Sequence, residues 1–348
     1  MYRCLSIVTA LLLVGLCCPT PARADVKMDE QTKKATHRAL EWLAARQNAD
    51  GSWTDGRYAH NTAITAFALL AFMSQGHLPN QGQFGPEVAK GARFLLATAR
   101  AAPGEISDGY LVGARGGNMY CHAMATLALA ELWGQTGDDE IRPVLKKAVD
   151  LIVRSQNYQG GWRYEPRPTG ADISVTIMQV MALRAAKNGG IHVKDEVLNK
   201  AIGYIMSCYN PGTGGFSYQS GGGAPGFART AAGLCVLVLS GKYKDQARAM
   251  LDRGVEYLKR NFHTGQHFFY GHYYAAHAMH SYAGINVENG MREWENWYSK
   301  IRDYLLPRQS GDGSWLGVER GGVGPVYQTS IAVIILSVPA HYLPIFQR

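Results

Sequence analysis

Arg38-Ala39-Leu40-Glu41-Trp42-Leu43-Ala44-Ala45-Arg46-Gln47-Asn48-Ala49-Asp50-Gly51-Ser52-Trp53 decides the fold, because the chain repeats its pattern. A basic residue stands four positions before a large apolar one, and a second apolar residue follows. The same triplet returns as Lys90-Phe94-Leu95, Lys147-Leu151-Ile152, Lys200-Tyr204-Ile205, Arg253-Tyr257-Leu258 and Lys300-Tyr304-Leu305. Recurrence every 50 residues or so (roughly 47 to 57) is the mark of stacked structural units. Spacing of four places the basic and aromatic side chains on one helical face, so each copy is expected to open with an amphipathic helix.

In four copies a Gly-rich turn closed by an aromatic follows: Gln47 to Trp53, Gln156 to Trp162, Tyr209 to Phe216 and Gln309 to Trp315. Copies two and five are degenerate, with Gly109-Tyr110 and Phe268-Phe269-Tyr270 in the corresponding places. Each copy then carries an Ala-rich segment that is apolar nearly all round: Asn61 to Met73, Cys121 to Leu132, Ile173 to Ala186, Arg229 to Leu239, Tyr273 to Tyr282 and Gln328 to Val338. A helix apolar on every side must be buried on every side. The expected fold is therefore all-α, an (α/α)6 double barrel of six helical hairpins. The buried helices form its inner ring, and residues 25–348 make one toroid domain. An open α-solenoid is the competing arrangement. Closure is preferred because the first and last copies carry the full pattern, without polar capping variants.

Composition agrees with a globular chain: 47% of the 348 residues are hydrophobic and 18% charged, which excludes a disordered segment or a membrane channel. The 40 glycines follow no Gly-X-Y period, which excludes collagen, and the surplus collects in the turns. The net charge of +8 comes without a basic cluster or basic-aromatic interleaving, so no nucleic-acid partner is expected.

Residues 1–24 read as a signal peptide: Arg3, an apolar run from Leu5 to Cys18, Pro19 and Pro21, then Ala22-Arg23-Ala24. The expected location is periplasmic or secreted. No later apolar run reaches ~18 residues, so membrane contact would be peripheral. Cys121, Cys208 and Cys235 are odd in number and widely spaced, which favours buried free thiols over a disulfide framework, although one pair could form in an oxidising compartment.

The repeat resembles the QW motif of squalene-hopene cyclases and their relatives, which include the β subunits of protein prenyltransferases. Arg38 to Trp53 and Lys300 to Trp315 match it at full length. Gly271-His272-Tyr273-Tyr274-Ala275-Ala276-His277-Ala278-Met279, Trp294-Glu295-Asn296-Trp297 and Tyr342-Leu343-Pro344 are similar to exported bacterial proteins known by these repeats, from which no activity carries over. The resemblance implies structural roles for Gln47, Trp53, Gln156, Trp162, Gln309 and Trp315, the Gln satisfying carbonyls at a neighbouring helix end under the cover of the Trp. The family's chemistry does not transfer. No D-x-D-D acid motif occurs, and the doublet Asp138-Asp139 reads as a solvated turn. Where the prenyltransferase zinc motif would place Asp-x-Cys, Asp172-Ile173-Ser174 has a hydroxyl in place of the thiol.

What remains is a ring of polar residues at the starts of the inner helices, where a double barrel opens its cavity. Asn61, Asp172, Ser174, Thr230 and Thr329 are N-cap types. Capping explains less well His60, Tyr120, His122, Arg229, Tyr273, Tyr274, Tyr327 and Gln328, which are the substrate-binding candidates. Six helix N-termini at one mouth favour an anionic ligand. Asp172 is the ring's sole carboxylate and the first candidate for a general acid or base, with His272 second. His277 and His280 share a helix face but lack a third ligand at a recognisable spacing, so neither a metal nor a cofactor is expected. No G-x-S-x-G nucleophile elbow is present.

Three functions compete. The first is a barrel that binds a hydrophobic, isoprenoid-like or anionic small molecule without chemistry. The second is an enzyme using Asp172 and His272, either terpene-cyclase-like or a polysaccharide lyase or hydrolase with Glu165 as second carboxylate. The third, an interaction scaffold, needs an apolar outer patch that the outer helices do not offer. A closed, aromatic, carboxylate-free chamber counts against the enzyme, whereas an open groove with Asp172 and a second carboxylate such as Glu165 within ~10 Å favours glycan chemistry.

Overall fold

The computed structural model describes residues 26–113, 116–241, 248–263, 265–286, 289–319 and 323–346; the expected signal peptide lies outside them. Among the described residues there are twelve α-helices and no strand. The outer ones are α1 (Glu30–Ala44), α3 (Gly85–Ala97), α5 (Ile141–Arg154), α7 (Asp195–Ser207), α9 (Arg248–Arg260) and α11 (Gly290–Leu305). The inner ones are α2 (Thr62–Met73), α4 (Met119–Thr136), α6 (Ile173–Asn188), α8 (Phe227–Ser240), α10 (Phe268–Ala283) and α12 (Pro325–Ser337). Each inner helix packs on the next, and α12 packs on α2, so the inner ring closes. Each outer helix lies against two inner ones; α1 bridges α12 and α2. This alternation is an α/α toroid that fits the expected six hairpins, and closure excludes the open solenoid.

The repeated residues explain how the rings hold together. Trp53, Trp162 and Trp315 are buried, and their indole N–H groups donate to the carbonyls of Leu43, Ile152 and Leu305 at 2.8, 2.7 and 2.8 Å. Their backbone N–H groups donate to the hydroxyls of Thr65, Thr176 and Thr329, and that of Phe216 to Thr230, each at 3.0 Å. Thr230 and Thr329 therefore tie turns to inner helices and are not the caps their residue type suggested. Their helices start earlier, at Phe227 and Pro325, which places both threonines in the helical interior. Ser174 likewise lies inside α6, behind Asp172.

Gln47, Gln156 and Gln309 each donate to a carbonyl in the N-terminal half of the next outer helix, at Glu87, Val197 and Ala35, 2.8 to 2.9 Å away. The last of these links crosses from the final turn to the first helix. Glycines do the same by close approach. Gly51 has φ +88°, and a Cβ there would lie 2.3 Å from the Lys90 carbonyl oxygen. Gly109, Gly160, Gly214 and Gly313 sit in the same way over Lys147, Lys200, Arg253 and Arg38. The basic residue of each of these copies thus marks where the preceding copy's turn rests.

Copy five differs. Only residues 261–267 link α9 to α10, and Phe268-Phe269-Tyr270, expected as a degenerate turn, form the first turn of α10 instead. At that joint the Lys300 ammonium lies 4.1 Å from the Phe262 ring centre.

At the opposite end, Leu343 and Ile345 of the C-terminal segment are buried, and the turn Pro344–Phe346 touches α4 and α6. The Ile345 N–H donates to the carboxylate of Glu131 at 3.2 Å. Burial pushes that carboxyl's pKa up to about 8.

Candidate functional site

At the N-terminal ends of the inner helices the ring opens into a cavity of about 630 Å³. Its rim is polar, with Tyr58, Asn118, Tyr164 and Tyr218 from the loops, Gln266 and His267 from the short link, and Arg229 from the first turn of α8. Its depths are apolar, with Ile64 and Phe67 on α2, Met124 on α4 and Met178 on α6, and with Tyr327 on α12. Among the described residues that line it there is no carboxylate. Burial raises the pKa values of Tyr120, Tyr218, Tyr270 and Tyr327 above the ordinary phenol range, so all four are neutral hydroxyls near pH 7.

Tyr120, Arg229 and Tyr327 are the expected binding residues that line this cavity. Asp172 is fully buried behind its wall, where Oδ1 caps α6 by accepting from the Val175 N–H at 3.0 Å. Its Oδ2 makes no well-formed hydrogen bond with a described residue, and Tyr218 is the side-chain donor that acts on the carboxyl. Burial raises its pKa, while the Val175 N–H and the Tyr218 hydroxyl act in the opposite direction. Tyr218 lies 2.6 Å from Tyr164, hydroxyl to hydroxyl, so two phenols connect the region of Asp172 to the cavity. Glu165 is exposed and does not line the cavity.

The other expected residues lie elsewhere. His60, at φ 47°, pairs with Asp50 at 2.6 Å and Ser52 at 2.9 Å, bracing the first turn. Nδ1 of His122 accepts from the Leu111 N–H at 3.1 Å, and its Nε2 lies 3.1 Å from the Ala148 carbonyl. His272 lies 3.1 Å from the Phe262 carbonyl and is packed among the rings of Phe227, Phe262, Phe268 and Trp297. Burial pushes these two imidazoles down to about 4 and about 3. They serve the two degenerate copies, where no Gln-to-Trp turn is present to join turn and helix. Tyr273 and Tyr274 are buried below the cavity, Tyr273 with its ring edge-on to Phe67 at 6.0 Å and Tyr274 at 5.0 Å from Tyr270. Gln328 holds the last loop through both backbone polar groups of Glu319, at 3.4 Å. His277 and His280 lie at the other end of the barrel, beside His341. Cys121, Cys208 and Cys235 are free and buried.

Residues not anticipated include Tyr58, Tyr164, Tyr218, Tyr270, Gln266, His267, Met124 and Met178. The two methionines stand four residues after Tyr120 and Ser174, a helical spacing that would have revealed them. The loop tyrosines carry no such periodic signal.

The model of the prenyltransferase α/α-toroid domain matches residues 22–187 and 175–251. None of the curated proteins matches the sequence. Among solved structures, the chain is similar to the α-1,6-mannanase GH76A of Salegentibacter sp. HEL1_6, with a TM-score of 0.65 at 9% identity, over 89% of this chain and 99% of that one. An inactive variant of that enzyme has been solved with α-1,6-mannotriose. The chain is also similar to an Asp-to-Asn variant of the type II terpene cyclase MstE from Scytonema in complex with geranylgeranyl dihydroxybenzoate, with a TM-score of 0.60 at 15% identity, over 90% of this chain and 98% of that one. At such identities the likeness is one of fold, which hosts both carbohydrate and terpenoid chemistry. Because the family model spans more than half of the sequence, the chain belongs to the prenyltransferase α/α-toroid domain family.

Proposed function

We propose that this protein is an exported binding barrel that holds a hydrophobic, isoprenoid-like molecule in its central cavity. The observation that carries the reading is the lining itself: Ile64, Phe67, Met124, Met178 and Tyr327 form an apolar interior, and no carboxylate among the described lining residues is placed to react with what enters. Export rests on the pattern of residues 1–24. Native mass spectrometry of the protein purified from its own cells, followed by organic extraction, tests the reading. A stoichiometric apolar ligand supports it, and an empty barrel stabilised by glycans instead would overturn it.

A second reading is favoured by one observation, the buried Asp172 carboxyl behind the Tyr218–Tyr164 pair. A carboxyl with a raised pKa can supply a proton through two hydroxyls. In that case the barrel is an enzyme and Asp172 its acid. Mass analysis of the extracted ligand from native protein and from Asp172→Asn separates the two. A binding barrel yields the same molecule from both, whereas an enzyme accumulates unreacted substrate in the variant.

A further inference from the structure

The cavity is graded with depth. About 5.4 Å, one helical turn, separates rim from interior: along α2 Asn61 gives way to Ile64, along α4 Tyr120 to Met124, and along α6 Ser174 to Met178. Arg229 stands at the rim as the one Lys or Arg among the described lining residues, and no described residue forms an ion pair or hydrogen bond with its guanidinium. The glycine at 226 lets it fold back over the backbone; a Cβ there would meet Nη2 at 2.6 Å. The same edge of the rim is the less neutralised one. Asn61, Asn118 and Asp172 cap α2, α4 and α6, Glu319 accepts from the Phe269 N–H at the start of α10 and Asp55 from the Tyr327 N–H at the start of α12, whereas the start of α8, where Arg229 stands, meets no side-chain acceptor among the described residues. A guanidinium with no ion-pair partner among the described residues, above an apolar chamber, matches a molecule whose charged end stays at the surface. A single guanidinium offers its paired N–H groups to one carboxylate, whereas a diphosphate would leave further charge unmatched.

Resting on the binding-barrel reading, we infer that the ligand is a monoanionic amphiphile, held tail down with its carboxylate on Arg229. At about 30 Å³ per water-sized group, the cavity takes on the order of twenty non-hydrogen atoms, the size of a fifteen-carbon isoprenoid acid.

Calorimetric titration with farnesoic acid, farnesol and farnesyl diphosphate tests this. The native protein is expected to bind the acid at least about tenfold more tightly than the alcohol, and more tightly than the diphosphate. In Arg229→Gln the acid should fall to the level of the alcohol, while alcohol binding, unchanged within about twofold, reports an intact cavity. If Arg229→Gln loses both ligands, Gly226→Ala decides: it keeps the charge but displaces the guanidinium, and it must weaken the acid selectively. Equal binding of acid and alcohol by native protein, tighter binding of the diphosphate, or a preference for the acid that survives these substitutions would overturn the head-group assignment and leave the barrel reading standing. Failure of all three to bind would remove both.

Discussion

Gly313 in the last turn rests on Arg38 in the first helix, so closely that a Cβ at 313 would lie 2.6 Å from the Arg38 carbonyl oxygen. Its φ of +98° is also one that residues with a side chain rarely adopt. Together with Gln309 on Ala35, this contact closes the ring. Gly313→Ala should therefore destabilise the fold by about 1–3 kcal/mol in urea unfolding. Gly311→Ala, two residues away with open space around it, is the control and should change little. Equal effects at the two positions would remove the closure argument.

The buried carboxyl of Glu131 gives a pH dependence of definite sign. Its folded pKa of about 8 lies above the ordinary glutamate value of 4.5, so the folded state holds the proton between them. The stability it contributes is complete below pH 4.5 and is lost as the pH rises through 8, with a slope of at most about 1.4 kcal/mol per pH unit. Glu131→Gln keeps an oxygen acceptor for the Ile345 N–H but does not ionise. Melting temperatures from pH 5 to 9 should fall less steeply for the variant than for the native protein.

His122 and His272 act in the opposite direction. Both are depressed by burial, to about 4 and about 3 against the ordinary imidazole value of 6.5, so the unfolded chain takes up protons first on acidification. Their contribution is full above pH 6.5 and is lost as the pH falls through the folded values. Each contributes up to about 1.4 kcal/mol per unit. His272→Phe, seated among existing aromatic rings, should remove one of the two contributions whatever its effect on absolute stability. Denaturant midpoints at pH 7, 6 and 5 measure the slope.

At Asp172 the cap and the acid can be separated. Asparagine retains the oxygen that accepts from the Val175 N–H, so Asp172→Asn should keep native stability to within about 0.5 kcal/mol, while Asp172→Ala loses about 1–2 kcal/mol. Thermal unfolding of the pair checks this. A large loss in the asparagine variant would mean that the ionisable group itself supports the fold.

The helices were legible in the sequence because burial imposes a period. The all-round apolar segment read as Ile173 to Ala186 is α6, Ile173–Asn188, and the others differ mainly at their ends. The turns were legible because Gln, Gly and Trp each answer a backbone requirement that recurs. The candidate site was legible only in part. Arg229, Tyr120 and Tyr327 are on helices whose phase turns them into the cavity, but His122 and His272, at equivalent helix starts, point the other way, towards the outer ring. Residue type alone could not tell a histidine that faces a cavity from one that replaces a missing turn. Tyr58, Tyr164 and Tyr218 come from loops, where no period relates position to direction.

The short link 261–267 has a consequence for recognition. A ring of equivalent units offers an entering molecule several equivalent orientations, and a binder that fixes only one must suppress the rest. By replacing a long loop with the start of α10, copy five sets His267 in the lining of the cavity and sends the Tyr270 hydroxyl to the Ser174 carbonyl on α6, 3.2 Å away. The departure from the repeat thereby supplies a reference direction within an otherwise rotationally degenerate vestibule, and a ligand entering it meets a front and a back.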